Sequence, residues 1–207
     1  MISVEDLQDS SQFQMLKVLD HEQLVPFVQQ QIRAKNWLTF SFWLINILCL
    51  LLLILSIFDQ IWNKNIAFTH VLAYVGGGFC AFFVLIPLHE LIHGFAYKLV
   101  GAPKISYGAQ IRKMIFYALA DRFVLGKKAF FVVALAPFVL ISSFVIVFCY
   151  FNYENIWLCS GISLLLMHSN GCVGDFALMS FFHENRKKEV YTYDDLAEKK
   201  TYFCVKK

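Results

Sequence analysis

Charge is scarce in this chain. Only 16% of its 207 residues are Asp, Glu, Lys or Arg, and the twenty-three residues 66–88 carry no charge at all. The net charge is +3 and the basic residues are scattered through loops, so the dense basic face that a nucleic-acid partner requires is missing. A C-x-x-C pair is missing too. The six cysteines are Cys49, Cys80, Cys149, Cys159, Cys172 and Cys204, and all but the last lie inside apolar runs. They are expected to pack as small apolar residues and not as a disulfide framework. No cleavable signal peptide is expected, because the first apolar run begins at Trp37, after a polar segment of thirty-six residues. That run is expected to act as an uncleaved anchor. No internal repeat is visible.

Apolar sequence is what remains. Hydrophobic residues make up 58% and aromatics 17%, and the mean hydropathy is +0.58, the composition of a membrane protein. Four stretches, 37–58, 66–100, 129–151 and 156–182, reach the roughly 20 apolar residues needed to cross about 30 Å of hydrocarbon. The expected fold is an all-α membrane protein with four transmembrane helices and a short cytoplasmic loop or β-hairpin between the second and third. The expected division is a cytoplasmic N-terminal segment over 1–36, a four-span domain over 37–182 and a charged cytoplasmic tail over 183–207.

Lys and Arg fix the expected orientation. Three precede the first span (Lys17, Arg33, Lys35) and seven lie between the second and third (Lys98, Lys104, Arg112, Lys113, Arg122, Lys127, Lys128). Seven more follow the fourth span, and only Lys64 lies between the first and second. By the positive-inside rule this places a multi-pass protein in the cell membrane with both termini in the cytoplasm. In the N-terminal segment Phe13, Leu16, Leu19, Leu24, Val28 and Ile32 recur at broadly helical spacing, interrupted by Pro26, as in a helix packed on the membrane surface. The tail mixes charges of both signs and reads as a solvated, partly disordered end. In the middle loop, Gly101-Ala102-Pro103 breaks the helix, and the partial alternation that follows reads as a short strand. Such a strand is either an ordinary hairpin or an edge that holds an extended peptide by β-augmentation.

His89-Glu90-Leu91-Ile92-His93, near the end of the second apolar stretch, fits the zinc-helix pattern H-E-x-x-H, which puts both imidazoles on one helix face. Three ionisable groups on one turn of an apolar span are costly unless something satisfies them. Zn2+ on His89 and His93, with Glu90 as proton acceptor for water, accounts for all three; a structural His/Glu cluster is the bland alternative. A catalytic zinc needs a third protein ligand. Counted from the outer ends of their spans, His89 and Asp175 differ in depth by about 6 Å, which permits Asp175. His168, seven residues earlier, would share its face about 10 Å nearer the outer side. Asp175 is therefore preferred as ligand, with His168 and Asn170 as supporting or substrate-contacting residues, and hydrogen bonding within the bundle as the plain role for His168.

The motif His89 to Gly94, followed by Gly101-Ala102-Pro103, Tyr117-Ala118, Pro137 and Gly174-Asp175, resembles a family of small bacterial membrane zincin peptidases, related in design to the site-2-protease class. The resemblance spans residues 87–182. It implies His89 and His93 as zinc ligands, Glu90 as catalytic base and Asp175 as third ligand. One departure is plain: site-2 proteases place that aspartate in an Asp-Gly pair, whereas Asp175 follows Gly174 and precedes Phe176.

The expected function is hydrolysis of peptide bonds in membrane or membrane-adjacent proteins near the cytoplasmic face, with Zn2+ as cofactor. The partners are a peptide or protein substrate and the lipid bilayer, without nucleic acid. A non-catalytic zinc-binding scaffold with a closed four-ligand site, or a hydrolase acting on a non-peptide substrate, are the alternative readings.

Overall fold

The computed structural model describes residues 2–110 and 115–207. Its elements run α1 (Val4–Gln8), β1 (Phe13–Asp20), α2 (Leu24–Gln31), α3 (Trp37–Phe58), α4 (Phe68–Leu99), β2 (Ser106–Gln110), β3 (Ile115–Leu119), β4 (Leu125–Gly126), α5 (Lys127–Phe151), α6 (Trp157–Gly171), α7 (Val173–Glu184), β5 (Val190–Asp195) and β6 (Lys200–Lys206). The chain forms two compact units. One comprises residues 40–89 and 137–173, the other residues up to 39, 90–136 and 174–207.

The first unit is helical. Leu53, Val71, Val75, Cys159 and Ile162 form its buried core. Helices α4 and α6 cross closely, because a Cβ on Gly78 would fall 2.0 Å from Ser163 Oγ and 2.3 Å from the Ser160 carbonyl oxygen. At this crossing Ser160 Oγ donates to the Tyr74 carbonyl at 2.7 Å and Ser163 Oγ to that of Val75 at 3.0 Å. Apolar side chains also cover the outside: Phe40, Leu55, Val84, Phe144 and Tyr150 are all exposed. A surface of this kind suits hydrocarbon and not water.

Among the described residues three helices, Trp37–Asn63 (α3 with the π-turn that extends it), α4 and α5, are long and apolar enough to cross a membrane. The expected fourth span is broken. Helix α6 ends at Gly171 and α7 begins at Val173, bent by 45°, so the count reaches four only if this pair is one span. Gly171 and Gly174 flank the break and hold the helix weakly.

The second unit carries what an all-α fold lacks, a four-stranded antiparallel sheet in the order β1-β6-β5-β4. One face buries Val4, Leu7, Phe13, Tyr193 and Cys204; the other buries Leu19, Phe27, Phe181, Phe182, Val190, Phe203 and Val205. The helix expected across 13–19 is therefore a strand. Leu16 has no partner in β6, where the pairing slips between Met15 and Lys17. This bulge turns Phe13 and Leu19 to opposite faces although they are an even six positions apart, and the spacing that results imitates a helix. The tail expected to be solvated supplies β5 and β6. Between its charges lie Val190–Tyr193 and Thr201–Val205, rich in β-branched and aromatic residues, joined through a turn with Lys199 at φ 54°. The expected hairpin of the middle loop is present as β2 paired with β3. The residues between these strands, with Arg112 and Lys113 of the orientation argument, lie outside the described residues.

Candidate metal centre

Helix α4 runs without interruption through the H-E-x-x-H motif, so His89 and His93 stand one turn apart on one face. His93 is held from both sides. Its Nδ1 lies 3.0 Å from the Val133 carbonyl oxygen, and because a carbonyl only accepts, Nδ1 carries the proton of that hydrogen bond. That leaves the Nε2 lone pair facing Asp175 Oδ1 at 3.4 Å. Two acceptors so placed need a cation between them, either a proton or a metal ion. Two ligands bonded to tetrahedral zinc at about 2.0–2.1 Å stand about 3.3 Å apart, so the observed spacing fits the ion. A hydrogen bond from the far imidazole nitrogen to a backbone carbonyl is also the usual support of a metal-bound histidine. His93 and Asp175 thus meet within one unit, and His89 precedes His93 by one turn of the same helix.

Local sequence explains this placement. Gly94 follows the motif because a Cβ there would fall 2.0 Å from Tyr107 Oη, so β2 brings the Tyr107 hydroxyl against the helix beside His93. Asp175 stands in the first turn of α7, where a carboxylate is favoured by the exposed amides. The break at Cys172 also corrects the expectation that His168 and Asp175 share one helix face two turns apart, since they belong to different helices.

The expected supporting residues separate. His168 is buried, with its Nδ1 3.4 Å from Ser142 Oγ and its ring 5.7 Å from that of His89. Asn170 donates its side-chain amide to Asn46 Oδ1 at 2.6 Å and to the Leu166 carbonyl at 2.9 Å. Glu90 is half-buried next to His89. Tyr107 received no role from the sequence, and Cys172 only that of a packing residue. For Tyr107 the available signal was the glycine directly after the motif.

A family profile described as "Putative zincin peptidase" matches residues 82–190, just over half of the chain. The chain belongs to this family. The matched residues include the whole H-E-x-x-H motif, the β2–β3 hairpin, the break at Cys172 and Asp175. Membership in a zincin family agrees with the donor set of two imidazoles and one carboxylate. No curated protein and no solved structure matches the chain.

Proposed function

We propose that this zincin-family chain is a membrane-embedded zinc metallopeptidase that cleaves membrane or membrane-adjacent proteins near the cytoplasmic face, with both termini in the cytoplasm. The observation that carries this reading is the His93 ring, fixed by Val133 on one side and set 3.4 Å from Asp175 on the other, one turn after His89 on an apolar helix. His89, His93 and Asp175 would hold the ion. Zinc, when bound, supplies Lewis acidity, which acidifies water and polarises a carbonyl. Glu90 then works as general base and general acid. Its carboxylate takes a proton from the attacking water as oxygen adds to the peptide carbon, and returns it to the amine nitrogen as the C–N bond breaks. Val133 keeps His93 in the tautomer that presents Nε2. A helical substrate must unwind first, because its carbonyls are engaged in the helix.

The test compares membrane peptides from cells carrying the intact protein or Glu90→Gln. Cleavage products present only with the intact protein support the peptidase. Identical peptide sets from both would favour a scaffold.

A further inference from the structure

We propose that His89, His168 and Cys172 form a second, thiolate-containing metal site for a thiophilic ion such as zinc or cadmium, sharing His89 with the centre described above. All three belong to the helical unit, and their ligand atoms lie within 4.8 Å of one another. Cys172 Sγ is 3.8 Å from His168 Nε2. Sulfur and nitrogen bonded to one tetrahedral zinc at about 2.3 and 2.0 Å stand about 3.5 Å apart.

The surroundings hold the group in this arrangement. The Cys172 amide donates to the His168 carbonyl at 3.2 Å, which keeps the thiol one turn beyond the imidazole as α6 ends. Ser142 Oγ meets His168 Nδ1, and the Phe138 ring lies nearly parallel to the imidazole at 6.3 Å, so Nε2 is the nitrogen turned to the thiol. His168 is 2% exposed and Cys172 fully buried. Two imidazoles and a thiol inside an apolar helical unit are a softer set than His/His/Asp, and softness selects thiophilic ions. Binding displaces the thiol proton to solvent and moves no electrons.

Sharing has a consequence. A neutral imidazole accepts through one nitrogen only, so His89 serves one ion at a time. An ion held with Cys172 leaves His93 and Asp175 without their partner and the peptidase silent. This consequence rests on the proposed function, whereas the thiolate site does not.

Cobalt(II), titrated into metal-free full-length protein, separates the two sites by absorption. Wild type and Asp175→Ala should show a thiolate-to-cobalt charge-transfer band in the near ultraviolet. Cys172→Ser and Cys172→Ala should lose it while keeping the visible ligand-field absorption of the His/His/Asp centre, which also reports that they fold. If either fails to fold, His168→Ala replaces it, and retention of the band there would overturn the site. A band that persists in Cys172→Ser overturns it as well. Ligand-field absorption without any charge-transfer band in wild type sinks this proposal and leaves the peptidase standing. A charge-transfer band in wild type, together with no hydrolytic activity in zinc-loaded Cys172→Ser, where no thiolate competes for His89, does the reverse, and no cobalt binding at all sinks both. Where activity is present, cadmium should inhibit Cys172→Ser at least about tenfold more weakly than wild type.

Discussion

His89 and His93 are four positions apart, and that spacing alone puts two imidazoles on one helix face. The motif was legible for that reason. Asp175 was harder, because counting residues along a presumed straight span permits several neighbours, and the break at Cys172 removes the straight helix on which that count rests. Cys172 itself looked like packing, since a cysteine in an apolar run has no local signal of what faces it. The roles of Asp175 and His168 separate by mutation in a Cys172→Ser background, which removes the thiol from the second group. There Asp175→Ala should weaken zinc binding by more than about 100-fold, beyond what an outer partner contributes, and His168→Ala should change it by less than about tenfold. Equilibrium dialysis with a zinc chelator measures both. Metal loss in His168→Ala with full occupancy in Asp175→Ala would reverse the assignment.

The elements most visible in the sequence were the long apolar helices, because a sustained run needs no partner to be recognised. Strand β1 was hidden by its own bulge, and β6 by the charges around it. Their pairing joins the first twenty residues to the last eight, a long-range contact that no local periodicity records. Phe203 is fully buried, 4.7 Å from the ring of Phe181 and 6.0 Å from that of Phe182. Phe203→Ala should cost the sheet about 3–5 kcal/mol and open the C-terminal strand to limited proteolysis, readable by mass spectrometry. Asp194 of β5 is a second test. Burial pushes its carboxyl up to about 6 and nearby Asp121 adds to the shift, while a hydrogen bond from Thr201 Oγ1 at 2.5 Å opposes it. A carboxyl whose folded pKa lies above its unfolded one favours the folded state while protonated. That advantage is lost as pH rises from about 4 to about 6, a cost of about 3 kcal/mol above that window. Asp194→Asn should therefore raise stability at pH 7 by about 1–3 kcal/mol and flatten the dependence between pH 4 and 6. Unfolding by denaturant at pH 4, 5, 6 and 7 checks this. A wild type equally stable at all four contradicts it.

At the scale of the whole molecule, the sequence showed an apolar chain with its basic residues divided seventeen to one between alternate segments. It hid the second unit, because that unit is assembled from three separate stretches of chain, each too short to announce a domain. The orientation gives its own prediction. Reporters fused after Lys207 should report cytoplasm, and one inserted near Asn63 should report the outside. An external C-terminus would overturn the proposed cytoplasmic placement of the metal centre. Zinc on His89, His93 and Asp175, with Glu90 beside it, would make this zincin-family chain a hydrolase. The most direct test is zinc content and peptide cleavage measured together on purified wild type and Glu90→Gln. Glutamine keeps the shape of the side chain and loses the proton acceptor, so the variant should retain about one zinc while cleavage falls at least about 100-fold. Cleavage by Glu90→Gln at the wild-type rate would contradict the account.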